Sequence, residues 1–471
     1  MNKTLQTFKY IIADFLSAAI AWSIFFFLRK SAETAGMNDT LDIVLGDRKF
    51  YLGIVIIPLF WLILYAITGS YHKIYRKARM RELGQTLMIT IIGVIIIFFA
   101  LILDDMIRSY RSYYHLFTNL FLLHFFFTFA FRFFLTSRTL YKLGHRIIGF
   151  NSIIVGSNGN AISIFNEIES QTKSSGNKFV GFVHAVKYPD YKLERFIPNL
   201  GHFSNIRQLI KEMDIEEVII ATERSEKRTV EQIISEIEDT DVFIKVIPDM
   251  QDFVLGTVKT TSIYSTPLIQ ISFDFMPQWQ LSLKRIMDII LSVIAIVILS
   301  PAYLFCIIGV KMSSKGPAFY SQDRIGLKGR PFKIPKFRSM IVGAENGTPM
   351  LSSKDDPRVT SFGRMMRKTR LDEIPQFFSV VKGDMSLVGP RPERQYFIEQ
   401  IAQRAPHYRL LLKVKPGITS WGQVKYGYAE NVDQMIERLK YDILYLENMS
   451  LAMDIKIMAY TLLTVLKGKG Q

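Results

Sequence analysis

The chain has 471 residues, 49% of them hydrophobic and 13% aromatic, with 58 Lys plus Arg against 42 Asp plus Glu and a formal charge of +16. That length allows about three structural units, and a basic excess that accompanies long apolar runs fits a membrane surface or an anionic phosphate substrate better than nucleic acid. A single cysteine, Cys306, excludes a disulfide framework or a thiolate metal site, and the seven histidines show no HExxH spacing.

Four apolar runs fill the first third: Phe8 to Leu28, Tyr51 to Thr68, Thr86 to Leu103 and Tyr113 to Leu135. Each is long enough to cross a hydrocarbon core of about 30 Å as a helix. The first is long for a signal-peptide core, and no small-residue cleavage site clearly follows it. Lys3 and Lys9, the group Lys73, Arg76, Lys77, Arg79 and Arg81, and the trio Arg138, Lys142 and Arg146 mark the cytoplasmic side. The opposite loops mix Asp39, Asp42 and Asp47 with Arg48 and Lys49, or Asp104 and Asp105 with Arg108 and Arg111. Residues 1–147 are therefore expected to form a four-helix transmembrane bundle with both ends inside. Asp14, His115 and Arg132 are expected to snorkel from span ends, and His124 is a further polar residue of the bundle. Pro58 is expected to kink the second span, and no inverted repeat suggests a transporter.

Residues 148–275 turn soluble in composition and alternate in type. Ser152 to Val155, Glu217 to Ala221 and Val242 to Ile247 read as strands, and Ala161 to Ser170 and Thr229 to Glu238 as helices. This is a Rossmann-like α/β module. Its first turn, Gly156-Ser-Asn-Gly-Asn-Ala161, is a degenerate dinucleotide fingerprint with Asn158 at the second glycine position. It is expected to serve strand-to-helix packing or regulation rather than cofactor binding.

Residues 276–471 open on Lys284, Arg285 and an apolar segment, Ile286 to Val310, interrupted by Asp288 and by Ser300-Pro301. Basic residues flank both ends, with Lys311 and Lys315 following. A re-entrant helix-break-helix over 281–310 is expected, with an ordinary kinked span as the other reading. Its first arm, Ile286 to Leu299, is only about 21 Å long at the rise of an α-helix, and Asp288 is expected to pair with Lys284 and Arg285 at headgroup level. Beyond it come short Gly- and Pro-rich clusters, Gly316 to Gly326, Phe332 to Met340, Asp356 to Arg364, Gly383 to Pro392 and Val414 to Val424, which supply shaped loops and phosphate-binding cations. Among them lies Thr369-Arg-Leu-Asp-Glu-Ile-Pro-Gln376, where adjacent Asp372 and Glu373 are surrounded by Arg364, Arg367, Lys368, Arg370, Lys382 and Arg391. Alone, the pair reads as a solvated, charge-balanced helix turn. With its neighbours it reads as a site in which one carboxylate attacks phosphorus and the other holds a divalent metal. Gln434 to Glu447 and Leu451 to Leu466 have the apolar period of amphipathic helices that pack on the core and lie along the interface.

From about Lys284 to Gly468 these motifs resemble the bacterial sugar transferases, the monotopic phosphoglycosyl transferases that act on polyprenyl phosphate. The preceding four spans and Rossmann-like module are similar to those of the family's large members. The resemblance implies transfer of a sugar 1-phosphate from a UDP-sugar to undecaprenyl phosphate with release of UMP, at the bacterial inner membrane with the catalytic domain facing the cytoplasm. This is the first membrane step of exopolysaccharide, capsule or O-antigen assembly. It implies Asp372 as nucleophile, Glu373 with Asp372 as ligands of Mg²⁺, and Lys336, Arg367 and Arg391 as phosphate-binding residues. Asp454, Arg338 and Gln376 are additional candidates, and Ser300-Pro301 matches the helix break. One departure is Ile334-Pro335 before Lys336, where the family more often has Ile-Tyr. Glucose is the expected sugar, with galactose or an N-acetylated sugar as alternatives, and a homodimer is an open possibility. An NAD-dependent epimerase would need an intact glycine fingerprint, and the one in the module is degenerate; a non-enzymatic scaffold would need no acidic pair.

Overall fold

The computed structural model describes residues 2–31, 37–102, 110–157, 159–186, 190–223, 227–238, 240–247, 268–271, 275–344, 356–427 and 429–466. Asn158 of the fingerprint turn, and Asp104, Asp105 and Arg108, lie outside the described residues. The chain divides into two compact units, one built on Met1–Asn151 with Ser163–Lys178, the other on Ser152–Ile162, Phe179–Thr260 and Pro267–Gln471.

In the first unit α1 (Lys3–Ser31), α3 (Arg48–Ile67), α4 (Arg79–Ile97) and α5 (Tyr110–Gly144) carry the four expected apolar runs. Each is long and apolar enough to cross a membrane, α4 together with the π-helical turn that continues it from Phe98. A short α2 (Met37–Gly46) precedes α3, whose first turn is capped by Asp47 accepting from the Lys49 amide at 2.8 Å. α3 runs on through Pro58 without interruption. Glycine permits two close approaches: a Cβ on Gly53 would fall 2.0 Å from Trp22 Nε1, and one on Gly93 2.2 Å from the Trp61 ring.

Asp14 and Arg132 do not snorkel. Both are fully buried, and Arg132 donates to the two Asp14 oxygens at 2.7 Å each and lies 3.3 Å from Glu82, itself 2.9 Å from Lys77. Tyr71 adds a hydrogen bond to Asp14 at 2.8 Å. Two acids and two bases thus neutralise one another inside the bundle, which removes the need to reach water. His115 is exposed, as expected of a span-end residue.

The second unit contains a six-stranded sheet of β1 (Phe150–Val155), β2 (Asn177–His184), β3 (Asn199–His202), β4 (Glu217–Ile220), β5 (Phe243–Val246) and β6 (Ile269–Ile271), ordered β3-β2-β1-β4-β5-β6. β1 with β4, β4 with β5 and β2 with β3 are parallel, and β6 closes the edge antiparallel to β5. α6 (Gly159–Glu169) follows β1; Ile153, Ile154, Val155, Val218 and Ile219 have no exposure, as in a parallel sheet whose crossovers, here with α7 (Ile206–Glu212) and α8 (Lys227–Ile237), cover it. The three expected strands and two helices are present; β2, β3, β6 and α7 are additions.

The rest of this unit begins with α9 (Gln278–Ile298) and α10 (Ser300–Ser313), bent by 60° at the break. The expected short first arm is corrected: α9 starts eight residues earlier than Ile286, and its 21 residues give about 31 Å. One face of α9 packs on the rest of the chain, with Lys284, Asp288 and Ser292 buried, while Trp279, Leu283, Ile286, Ile290, Val293, Ile294, Val297 and Ile298 are exposed. Ser300 Oγ donates to the Val297 carbonyl at 2.8 Å and helps satisfy the bend. Asp288 does not pair with the basic anchor. It accepts from the Leu387 amide, while Lys284 reaches Asp454 at 2.6 Å and Arg285 donates to the carbonyls of Val380 and Val381.

Then follow a hairpin, β7 (Phe319–Ile325) with β8 (Pro331–Phe337), the helices α11 (Ser361–Thr369), α12 (Gln376–Lys382), α13 (Gln395–Arg404), α14 (Trp421–Lys425), α15 (Val432–Glu447) and α16 (Leu451–Leu466), and a two-strand parallel ladder, β9 (Ser386–Val388) with β10 (Gly417–Thr419). α15 and α16 give Leu439, Tyr445, Leu446 and Ile457 to the core and leave Ile455, Leu462 and Leu463 exposed. The sheet and the part of the chain after it meet through Lys328 on Asp241 at 2.6 Å, Lys413 on the Thr240 carbonyl at 3.3 Å and Arg409 near Glu236 at 3.8 Å.

Candidate active site

Asp372 and Glu373 lie in a 3-10 turn, Leu371–Glu373, between α11 and α12. α11 starts at Thr360, whose hydroxyl accepts from the Gly363 amide, and stops at Arg370, which adopts the left-handed conformation at φ 55°. Pro375 then starts α12. Gly363 is required here, because a Cβ would sit 2.0 Å from the Ser339 carbonyl oxygen. That contact brings Ser339 to Arg367, whose Nε donates to Ser339 Oγ at 2.9 Å. From α10, Tyr303 OH donates to the Ile374 carbonyl at 2.7 Å, and Cys306 and Val310 pack with Phe337, Met366 and Ile374 behind the turn.

Both carboxylates are buried. Lys336 Nζ lies 3.2 Å and Arg391 Nη2 3.4 Å from Glu373 Oε1, and Arg370 Nη1 3.8 Å from Oε2. Burial pushes the Glu373 carboxyl up, but Lys336, Arg391 and Arg370 outweigh it and hold the group well below the usual carboxylate range. Asp372 moves the other way: burial and the Glu373 charge raise it against Lys336 and Arg367. One carboxylate is thus firmly ionised and the other a stronger base than an ordinary aspartate. Pro335 does not misplace Lys336, which pairs across the hairpin with Tyr320 and still reaches Glu373.

Asp372, Glu373, Lys336, Arg338, Arg367 and Arg391 line one cavity of about 480 Å³. Gln376 is buried at the start of α12 and is not part of that wall. Asp454 is also outside it, fully buried between Lys284 Nζ and Tyr445 OH at 2.6 and 2.7 Å. Ser300 and Pro301 form the helix break only. Arg370, expected among the basic neighbours of the pair, also lines the cavity, as do Arg324, Glu393 and Arg438, which were not anticipated. Glu393 directly follows the Gly-Pro-Arg-Pro run, the one signal that could have marked it.

Among the described residues no group of three His, Cys, Asp or Glu side chains gathers. Asp372 and Glu373 are the carboxylates of the cavity nearest Lys336 and Arg391, and two carboxylates are what a hard divalent ion takes from protein when substrate phosphates and water complete its shell. In the α/β module, the Asn160 amide at the start of α6 donates to Glu223 Oε1 at 3.2 Å, and Asn160 Nδ2 to the Thr222 carbonyl at 3.0 Å. A carboxylate of the chain itself thus stands where a bound pyrophosphate would meet the helix N-terminus.

The sequence pattern of a bacterial sugar transferase matches residues 279–468, and that of a CoA-binding domain matches residues 66–248. Over 330 residues the chain is 33% identical to a UDP-glucose:undecaprenyl-phosphate glucose-1-phosphate transferase of Klebsiella pneumoniae, covering 69% of each. The chain belongs to the bacterial sugar transferase family. This sugar transferase is also 43% identical over 188 residues to a UDP-N-acetylgalactosamine-undecaprenyl-phosphate N-acetylgalactosaminephosphotransferase of Aeromonas hydrophila, covering 40% of this chain and 44% of that one. To a galactosyl transferase of Streptococcus agalactiae it is 34% identical over 256 residues, 52% and 56% of the two chains. It thus spans about half the length of two of these three relatives.

Proposed function

We propose that this sugar transferase moves a sugar 1-phosphate from a UDP-sugar to undecaprenyl phosphate at the cytoplasmic face of the bacterial inner membrane, as the first membrane step of a surface polysaccharide. The observation that carries the reading is the buried Asp372–Glu373 pair, set among Lys336, Arg367, Arg370 and Arg391 and tied to α10 through Tyr303. An Asp372 carboxylate oxygen attacks the sugar-bearing phosphorus, the bond to the bridging oxygen breaks, and UMP leaves with the electron pair. The undecaprenyl phosphate oxygen then attacks the same phosphorus and releases the Asp372 carboxylate, which gives undecaprenyl-diphospho-sugar. Lys336, Arg367 and Arg391 offset charge as it develops on the transferred phosphoryl group. Mg²⁺ held by Glu373, Asp372 and the donor diphosphate would supply Lewis-acid neutralisation.

The 60° bend and the basic residues at both ends, Lys284 and Arg285 before and Lys311 and Lys315 after, support a helix pair that enters and leaves one leaflet. A covalent intermediate lets a soluble donor and a lipid acceptor use one site in turn. The favoured sugar is glucose. A second reading, N-acetylgalactosamine, rests on the 43% identity to the Aeromonas relative. The test is UMP release by the full chain in lipid nanodiscs with UDP-glucose, UDP-galactose and their N-acetylated forms. Release that requires undecaprenyl phosphate for turnover supports the reading, and its absence with every donor refutes it.

A further inference from the structure

At the end of the bundle that carries its basic residues, two cations have no acid to pair with. α5 contains no acidic residue, and the one acid of α4, Glu82, is taken by Lys77 and Arg132 inside the bundle. On the outside, Arg79 opens α4 and Arg138 lies in the last two turns of α5; both are exposed, and neither forms an ion pair among the described residues. Arg79 is nevertheless held in place. Its Nε donates to Ser137 Oγ at 3.1 Å, and its guanidinium lies over the Phe133 ring at 5.7 Å. Both Nη groups of this aimed, planar fork are left to meet an anion, with Arg138 next in the chain to Ser137. Below the arginines runs an apolar track. Phe121, Phe125, Phe129 and Phe133 recur every fourth residue of α5, with successive rings 6.0, 5.7 and 5.6 Å apart. Phe117, one step further, meets Phe98 at the end of α4 at 5.7 Å, so the track touches the α4 side at both of its ends. From Phe121 to Phe133 is about 18 Å at the helical rise, close to one leaflet of a hydrocarbon core about 30 Å thick. α5 as a whole, with 35 residues, is about 52 Å long, so Ser137 and Arg138 lie past its apolar run at headgroup level.

We infer that the seam between α4 and α5 is a binding site for an anionic glycerophospholipid, with its phosphate on Arg79 and Arg138 and one acyl chain along the phenylalanine track. Charge fixes the head. Neither helix presents a carboxylate on its outer face, so the anion that meets these arginines comes from the membrane. A zwitterionic lipid brings its own cation beside the phosphate and gains less from two more. Length fixes the tail. A straight acyl chain ends where its leaflet ends and can lie against all four rings, whereas a polyprenyl chain is much longer than the track and leaves most of its length without a partner. Exposed cations attract anionic lipids diffusely, within a Debye length. What makes this seam a site is an arginine oriented by Ser137 and Phe133 before the lipid arrives, which lowers the ordering cost of binding. A lipid seated there ties the start of α4 to the end of α5.

The test is titration of the detergent-solubilised full chain with phosphatidylglycerol, phosphatidylcholine or undecaprenyl phosphate, read as bound lipid by native mass spectrometry, with melting temperature in parallel. The unaltered protein retains phosphatidylglycerol in preference to phosphatidylcholine, and phosphatidylglycerol raises its melting temperature. Arg79→Gln combined with Arg138→Gln weakens phosphatidylglycerol by about tenfold, the value of one charge-assisted hydrogen bond, and abolishes the rise. Arg138→Gln alone alters an exposed side chain without touching the packing of the bundle, and shows part of the same loss in a protein that folds as the parent does. Lys9→Gln combined with Arg81→Gln removes equal charge from other exposed positions at the same end and leaves binding near the parent's. Equal retention of the two phospholipids by the parent overturns the site, as does equal loss in the Lys9 and Arg81 pair or undiminished binding after Arg138→Gln. Preferential capture of undecaprenyl phosphate over phosphatidylglycerol overturns it too, since the seam is then a store for the acceptor.

Discussion

Replacing Asp372 with asparagine changes two oxygens to an oxygen and an amide while keeping the shape of the turn. Glu373 keeps Lys336, Arg391 and Arg370 as partners, so the phosphate-binding groups stay in place and donor KM should change little. The nucleophile, however, is gone. Loss of an attacking group from a covalent mechanism costs on the order of 10⁴-fold or more in kcat, or about 5.4 kcal/mol of barrier. Stability should move the opposite way. The Asp372 carboxyl is raised by burial and by Glu373, so the folded state binds its proton more tightly than the unfolded chain does. Ionising it therefore lowers stability as pH rises from the ordinary carboxylate range through the raised value, and above that value the full cost persists. Asp372→Asn removes that cost, so at neutral pH the variant should melt no lower than the parent, and the gap should close in acid. The parent should lose kcat as pH falls through the same raised value. The assay is a single turnover with UDP-sugar and no acceptor, in which the parent gives a burst of UMP stoichiometric with enzyme. A burst in Asp372→Asn, or turnover within tenfold of the parent, would refute the covalent role.

Tyr303→Phe removes the hydroxyl that holds the Ile374 carbonyl; kcat should fall several-fold to about tenfold, with donor KM unchanged in a steady-state UMP assay. Asp454→Asn leaves Lys284 buried without its charge partner and should cost about 3–5 kcal/mol in a denaturation experiment, while kcat per folded molecule stays near the parent's, because Asp454 is outside the cavity wall. Gly363→Ala places a methyl 2.0 Å from a backbone oxygen and should lower stability by about 1–3 kcal/mol or more, read as a drop in melting temperature. Arg132→Met leaves Asp14 inside the bundle without its cation and leaves Glu82 with Lys77 alone and should reduce thermal stability of the detergent-solubilised protein by about 3–5 kcal/mol.

The sequence reveals features that repeat locally. Four runs of apolar residues specify their helices directly, and β1 and β4 stand out through Ile153–Val155 and Val218–Ile220, because strands buried on both faces are apolar without alternation. Asp372, Glu373, Lys336, Arg367 and Arg391 are visible as a concentration of charge among tight turns. What stays hidden depends on distance in the chain. Asp14 and Arg132 are 118 residues apart, and whether they snorkel or pair depends on helix rotation rather than on either residue type. Lys284 has Asp288 one turn away but takes Asp454 across 170 residues, because the tertiary fold outweighs a local helical pair. Glu393 is an isolated carboxylate in the sequence and gains meaning only when β7 and α15 bring Arg324 and Arg438 to it.

Glu223 has a consequence for how the chain responds to its surroundings. A fold that usually presents its first helix to a diffusible phosphate here presents it to its own side chain, covalently attached and therefore always at hand. A competing anion must displace a tethered rival and accept its repulsion. The start of that helix is thereby already occupied by a carboxylate of the chain itself. Through Asp241, Thr240 and Glu236 the module also meets the hairpin turn at Lys328 and the segment before β10 at Arg409 and Lys413.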